Sequence, residues 1–200
     1  YLKKSKLKHP GREETLKSLE CDGEKVIRDI ILKPKNKINF HKLMTHFLID
    51  IDLGFLKKVT NILFIRDPKE IINSYHKVIP HPSIDDIGIE KQFKLFNYLK
   101  SNNQDIVVLD SKELLIDPEN TLKKLCKKIN IPFDKNMLKW KLGPKKEDGI
   151  WAKYWYQNVH NTTSFNKYKK RDIKLDSKND KLAENCYKYY NKLRDISLKI

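Results

Sequence analysis

The sequence is short of arginine, glycine and long apolar runs. Its 200 residues include 37 lysines but only 5 arginines, and glycine occurs 6 times, well under the ~7% of average proteins. No apolar run approaches the ~18 residues of a membrane span. The three cysteines, Cys21, Cys126 and Cys186, lie far apart. That spacing leaves no CxxC pair. Cys126 and Cys186 fall on apolar helix faces, which favours buried thiols, and a reducing cytoplasm fits.

Metal binding is not expected. The closest histidine pairs are His41 with His46 and His76 with His81. Neither pair has the i,i+4 spacing of a helical zinc site, and neither has a third ligand nearby.

Positive charge is abundant but evenly spread. The formal net charge is +16, which by itself would suggest nucleic-acid binding. However, proteins that read bases favour arginine for its bidentate fork, and arginine is scarce here. A small ligand that carries phosphate would also benefit from the charge. Nucleic-acid binding is therefore kept as a third option, which predicts steep salt dependence.

Hydrophobic patterning predicts an α/β domain. The continuous apolar runs 61–65 and 105–110 are typical of strands covered on both faces, and the alternating run 37–42 predicts a third strand. Helical patterns occupy 12–20, 24–32, 43–59 (one or two short helices), 67–78, 84–100 and 118–129, with breaks at 80–83 and 143–149. Strands that alternate with helices indicate a parallel sheet, whose ligands bind at the carboxyl ends of the strands.

The chain closes with a long amphipathic helix. Apolar residues recur there at steps of four and three, at Leu182, Cys186, Tyr189, Leu193, Ile196 and Ile200. Such a stripe is most simply core packing, and the alternative is the seam of a homodimer.

One of the few arginines stands directly after the first apolar strand. Asp67 is a good helix N-cap, Pro68 suits the first helical position, and Glu70 has the spacing of a capping box. Ser74 lies two turns beyond Asp67 on the same face, so Arg66 and Ser74 can point at one place. A guanidinium and a hydroxyl that converge above a strand end predict a phosphate site. The alternative is a surface arginine and a helix serine with no shared ligand.

Arginine at a strand end with serine eight residues later resembles the 3′-phosphate motif of P-loop sulfotransferases. The segment VVLDSKELLIDPENTLKKLCKKINIPFDKNMLKW (107–140) also resembles that family. So does GPKKEDGIWAKYWYQNVHNTTSF (143–165), which is similar to a bacterial group whose relatives are fused to, or named after, aminotransferase-like proteins. The likeness runs from about His9 to Phe165.

The resemblance implies a P-loop NTPase-like parallel sheet flanked by helices. It implies a single domain over 1–200, in which 166–200 is a helical extension. The family's first strand and its glycine-rich phosphate loop are not found, and we expect them to precede Tyr1. The donor would be 3′-phosphoadenosine 5′-phosphosulfate (PAPS), and the acceptor a hydroxyl or amine of a small molecule. No metal is required, and these 200 residues alone are expected to be inactive.

The resemblance also assigns roles to residues. The family's lysine-x-histidine motif corresponds to Lys42, with Met44 in the place of the histidine. On a helix that begins near Lys42, His46 lies one turn away, so His46 is the predicted general base. Lys145 and Lys146 correspond to the family's basic loop over the 3′-phosphate.

The adenine site departs from the family pattern. Many members place a tyrosine after the second strand, where this chain has Asp110 and Ser111. Either residue can hydrogen-bond the adenine edge, and Ser111 is the predicted contact. Stacking on adenine or on the acceptor would then come from Trp151, Tyr154 and Trp155, for which core packing is the alternative. Besides PAPS-dependent sulfuryl transfer, a phosphorylated-nucleotide or phosphoester-binding protein of the same fold remains open.

Overall fold

The computed structural model describes residues 2–5, 11–76, 79 and 81–199. The chain forms two compact units. The first contains the described residues up to Val59 together with Asn136–Phe165, and the second contains Thr60–Lys135 together with the described residues from Asn166 onward.

The second unit consists of alternating helices and strands. The first unit contains mainly short helices. The elements in chain order are α1 (Leu2–Ser5), α2 (Arg12–Ser18), α3 (Gly23–Val26), β1 (Asn61–Ile65), α4 (Pro68–Tyr75), α5 (Ile84–Ile87), α6 (Ile89–Ser101), β2 (Ile106–Asp110), α7 (Ser111–Ile116), α8 (Pro118–Lys128), α9 (Ala152–Trp155), α10 (Gln157–His160) and α11 (Ser177–Asp195). Irregular helical turns cover Ile27–Ile31 (π) and Thr45–Phe47, Leu53–Lys58 and Lys135–Leu138 (3₁₀).

A parallel pair of strands forms the centre of the second unit. β1 and β2 pair in register, with Ile65 opposite Asp110, as the apolar runs predict. β2 is buried from Val107 to Asp110, and its two faces belong to different apolar clusters. β1 differs from the expectation of two covered faces, because Leu63 and Ile65 are buried while Phe64 is 50% exposed. The structure is thus a mixed helix and sheet fold with a small parallel sheet.

The C-terminal helix α11 supplies much of the core. Its buried residues are Asn179, Ala183, Cys186, Tyr190 and Leu193. The last four of them join Ile65, Ile72 and Ile89 in one apolar cluster. The prediction that one side of this helix packs in the core is therefore confirmed. It is wrong for Ile196, which is 50% exposed, and Ile200 lies outside the described residues.

Local sequence signals explain where the helices of the second unit begin. Asp67 and Asp117 each accept hydrogen bonds from backbone N–H groups at the start of a helix. The first residue of both helices is proline, as expected after such caps. The predicted helix over 84–100 is interrupted at Gly88, whose φ of 77° lies in the left-handed region that glycine tolerates. α7 was not predicted, because its six residues are too few for a periodic pattern.

The strand predicted over 37–42 is wrong. This segment has no regular structure, and Ile38 and Phe40 are 68% and 82% exposed. A strand needs a neighbour to satisfy its backbone groups, and no described residue pairs with this segment. The patterns over 12–20 and 24–32 correspond to α2, and to α3 with the π-turn that follows it.

None of the helices within 2–5, 11–76 and 81–199 combines the length and the apolar content that a membrane crossing requires. Cys126 and Cys186 are buried free thiols, whereas Cys21 is exposed. Burial raises the pKa of Cys186 to about 11, so this thiol stays protonated and unreactive at neutral pH.

Truncation of Leu193, a core residue of α11, tests the packing of this helix against the sheet. Leu193 is fully buried, so Leu193→Ala should lower the free energy of unfolding by about 2–5 kcal/mol. Urea unfolding followed by circular dichroism measures the change. The exposed neighbour Ile196 provides the control, because Ile196→Ala should cost less than about 1 kcal/mol. Equal losses in the two variants would contradict the packing described here.

Candidate functional site

Residues of predicted functional importance stand where the two parallel strands end. Arg66 follows β1 and Ser111 follows β2. Since the strands are parallel and in register, both residues lie at the same edge of the sheet. This is the edge at which open α/β sheets bind their ligands.

Two aspartates at this edge hold the surrounding helices. Asp67 begins α4 by accepting N–H bonds from Lys69 and Glu70, and Asp110 begins α7 by accepting one from Lys112. Each carboxylate also accepts a hydrogen bond from the hydroxyl of a tyrosine on α11. The Tyr187 hydroxyl lies 3.0 and 2.9 Å from the two Asp67 oxygens, and the Tyr190 hydroxyl lies 2.6 Å from Asp110 Oδ2.

These tyrosine hydroxyls are permanent donors at neutral pH. Burial raises the pKa of Tyr187 and of Tyr190, and the hydrogen bonds to Asp67 and Asp110 raise them further. Neither hydroxyl therefore ionises under physiological conditions. Asp110 is 1% exposed and its carboxylate is engaged by the protein, so it is not available for the adenine contact that the sequence left open.

Arg66 is fixed at the strand end by a salt bridge. Its Nε donates to Glu70 Oε2 at 2.8 Å, and the two side chains are 40% and 14% exposed. Glu70 therefore pairs with Arg66 in place of the reciprocal capping-box contact that its position predicts. A guanidinium has further N–H donors on its two terminal nitrogens. Ser74 is exposed one turn beyond Glu70 on the same helix.

A cavity of about 210 Å³ opens at the same edge. Asp67 and Glu70 of the α4 start line it, together with Ser111 and Lys112 of the α7 start. The remaining walls come from the C-terminal part of the chain, through Tyr168, Lys170, Tyr190 and Arg194. Of the predicted cofactor residues, Ser111 is the one that lines this cavity.

The predicted catalytic residues belong to the first unit, and their local geometry differs from the expectation. Residues 42–44 are not helical, and the 3₁₀ turn that contains His46 starts at Thr45. Met44, which precedes this turn, is extended and gives no side-chain cap. Lys42 and His46 therefore do not share a helix face. Lys42 Nζ stands 5.8 Å from the centroid of the Tyr156 ring.

The loop over 143–149 carries Lys145 and Lys146, which are exposed. Asp148 anchors the loop: it accepts the backbone N–H of Lys145 and lies 2.8 Å from the His160 ring nitrogen. The Lys145 N–H and the His160 ring hold the pKa of Asp148 below its usual range. The loop that the sequence predicts is thus an ordered turn which holds two lysines toward solvent.

The aromatic cluster near this loop packs largely within the first unit. Tyr154 lies against Gly11, where a Cβ would come within 2.6 Å of the ring. Trp151 covers Gly149 even more closely. Tyr154 is still 37% exposed. These contacts favour the packing alternative for Trp151 and Tyr154, and they leave the predicted role in ligand stacking without direct support.

Comparison with known proteins identifies the family. The sulfotransferase domain family matches residues 1–196. Two proteins of Arabidopsis thaliana, branched-chain-amino-acid aminotransferase-like proteins 2 and 1, are each 35% identical over 196 residues. The match covers 97% of this chain and 35% of each relative, so the chain spans about a third of their length. No solved structure matches significantly.

The chain belongs to the sulfotransferase domain family. The resemblance inferred from Arg66, Ser74 and the segments 107–140 and 143–165 is therefore confirmed at the level of the family. The roles of individual site residues stay predictions.

Sequence reasoning missed the contribution of the C-terminal residues to the site. Tyr187, Tyr190 and Arg194 recur every three or four residues along α11, which is a visible signal that they share one side of the helix. The partners of the two tyrosines lie 120 and 80 residues away in the chain. A single sequence does not reveal contacts of that separation.

Removing the Tyr190 hydroxyl tests the buried contact. Tyr190→Phe keeps the ring and leaves the buried Asp110 carboxylate without one donor. Hydrogen bonds to charged groups contribute ~1.5–3 kcal/mol, so the free energy of unfolding should fall by about that amount. Urea unfolding measures it, with Tyr189→Phe as the matched control, because Tyr189 packs beside Phe93. A Tyr190→Phe variant as stable as wild type would refute the assigned hydrogen bond.

Proposed function

We propose that this protein transfers a sulfuryl group from PAPS to a hydroxyl or amine of a small molecule, on a P-loop NTPase-like fold. Membership of the sulfotransferase domain family supports the reaction class. The position of Arg66 at the carboxyl end of β1, held by Glu70, is the structural observation that carries the proposal. The aminotransferase-like names of the relatives are not extended to this chain, because it spans only 35% of their length.

The residues at the strand end suit a 3′-phosphate. Arg66 is fixed through Nε, which leaves its terminal nitrogens to bind phosphate oxygens. Ser74 adds a hydroxyl one turn beyond Glu70 on the exposed side of α4. Both groups are donors to an anion, and both are accessible. In the proposal they bind and orient the nucleotide and take no part in the chemical step.

PAPS supplies the sulfuryl group, and the protein supplies orientation, charge and a base. Transfer in line requires that the acceptor proton be removed as the new bond forms. His46 is proposed to accept that proton. Lys42 is proposed to neutralise charge on the leaving oxygen, and Lys145 and Lys146 to add positive charge near the 3′-phosphate.

A second candidate is a protein that binds a phosphorylated nucleotide or phosphoester without sulfuryl transfer. The observation in its favour is the extended backbone between Lys42 and the turn of His46. Lys42 and His46 were predicted as a catalytic pair because they would share a helix face, and this backbone does not form that helix. Binding of nucleotide together with an absence of transfer to any acceptor would select this candidate.

Calorimetric titration of adenosine 3′,5′-bisphosphate into the natural full-length protein tests nucleotide binding. Loss of a charge-assisted hydrogen bond worth ~1.5–3 kcal/mol should make Arg66→Ala bind about tenfold or more weakly. Arg28→Ala is the matched control, since Arg28 is another arginine that is paired with a carboxylate, Asp29. Binding that is equally strong in wild type and Arg66→Ala would contradict the assigned phosphate site. Absence of binding by wild type would contradict the sulfotransferase proposal itself.

A further inference from the structure

The cavity at the strand ends is too small for a whole nucleotide. Its volume of about 210 Å³ is below the ~300–1,000 Å³ of pockets that enclose drug-sized ligands. Its floor is protein interior, because Ser111 and Tyr190 are 8% and 3% exposed. These dimensions suit one end of a ligand.

The acidic side chains of the cavity wall are already engaged. Asp67 accepts the Tyr187 hydroxyl and two backbone N–H groups of α4. Glu70 forms the salt bridge with Arg66. The Arg66 guanidinium compensates the charge of Glu70. Asp67 keeps its charge, but its oxygens already accept hydrogen bonds from the protein.

Three cations surround the same space. They are Lys112 at the start of α7, Lys170 in the segment before α11, and Arg194 in the last turn of α11. Among the described residues, none of the three has a carboxylate within ion-pair distance. Like charges around one cavity repel one another, and an anion placed between them would relieve the repulsion.

The position of this wall is well defined. The backbone N–H of Tyr168 donates to the Leu115 carbonyl at 3.2 Å, which ties the segment before α11 to α7. Lys112 Nζ stands 5.7 Å from the centroid of the Tyr168 ring. Arg194 belongs to the helix that Tyr187 and Tyr190 fasten to the strand ends.

The chemistry of the wall selects the ligand class. Two ammonium groups and a guanidinium act only as donors, and the Ser111 hydroxyl can donate as well. Because the Asp67 and Glu70 carboxylates of the same wall already have protein partners, these donors favour a group that accepts hydrogen bonds. A tetrahedral ester of phosphate or sulfate offers three free oxygens to donors on separate walls, and guanidinium binds such groups bidentately.

We propose that this cavity binds the phosphate or sulfate ester group of a ligand through Lys112, Lys170 and Arg194, with the Ser111 hydroxyl as an additional donor. This anion site is separate from the proposed 3′-phosphate contact at Arg66, which lies outside the cavity wall. It makes the C-terminal part of the chain a ligand-binding element in addition to a packing one.

Titration with inorganic anions tests the site directly. Sodium phosphate and sodium sulfate are added to the protein at constant ionic strength set with chloride, and the thermal midpoint is recorded. A ligand that binds only the folded state raises this midpoint in a saturable way. We expect phosphate or sulfate to do so. Tighter binding of phosphate would indicate a phosphate-ester ligand, and tighter binding of sulfate would indicate a sulfate-ester ligand.

Two charge-removing variants and two matched controls locate the anion. Arg194→Gln and Lys170→Gln should weaken anion affinity by about tenfold or more, whereas Arg171→Gln and Lys169→Gln should bind as wild type does. All four residues are exposed, so the substitutions leave the core intact, and each control removes the same charge beside the cavity.

Two outcomes would overturn the proposal. One is a wild-type response no larger than that to chloride, and the other is an equal loss in the variants and their controls, which would indicate general surface electrostatics. Because the titration uses inorganic anions, its result is independent of whether Arg66 binds a 3′-phosphate. Failure of the nucleotide titration and failure of this one are therefore distinguishable.

Discussion

Two tyrosine hydroxyls of one helix hold together the edge of the sheet at which the candidate site lies. Tyr187 and Tyr190, three residues apart on α11, donate to Asp67 and Asp110. Asp110 is the last residue of β2, and Asp67 lies two residues beyond the end of β1. Each aspartate also begins the helix that follows its strand. The same two carboxylates therefore fix strand ends, helix starts and the C-terminal helix. The contact of Asp110 is the costlier one to lose, because Asp110 is buried and an unpaired buried carboxylate is strongly unfavourable.

The position of each candidate ligand contact in the second unit follows from this arrangement. Tyr187 holds Asp67, which lies between Arg66 and Glu70 in the chain. The salt bridge of Arg66 with Glu70 therefore has a fixed position at the end of β1. Ser111 and Lys112 follow the residue that Tyr190 holds, and Arg194 lies one turn further along α11. Docking of α11 across the strand ends thus brings Arg194 to the cavity, while the bond between the Tyr168 N–H and the Leu115 carbonyl ties the segment of Lys170 to α7. A helix that the sequence marks only as amphipathic supplies both core and site.

Short-range signals predicted much of the second unit. Continuous apolar runs located β1 and β2, and an amphipathic pattern located α8. The Asp67-Pro68 pair located the start of α4, because caps and proline act within a few residues. Tertiary contacts decided the rest. The alternating run at 37–42 found no partner strand, the helix expected from Lys42 to His46 did not form, and the tyrosine–aspartate pairs span 80 and 120 residues. The resemblance to sulfotransferases identified the family correctly, since it rested on Arg66 and Ser74 together with the ordered segments 107–140 and 143–165.

Amide hydrogen exchange in a Tyr187→Phe/Tyr190→Phe variant tests the role of these two contacts most directly. The amides of Lys69 and Lys112 donate to Asp67 and Asp110, whereas the amide of Asn120 donates to Asp117, whose carboxylate is bonded within α8. We expect exchange at Lys69 and Lys112 to accelerate by about tenfold or more, with Asn120 unchanged. Unchanged exchange at all three amides, or an equal acceleration at all three, would contradict the account.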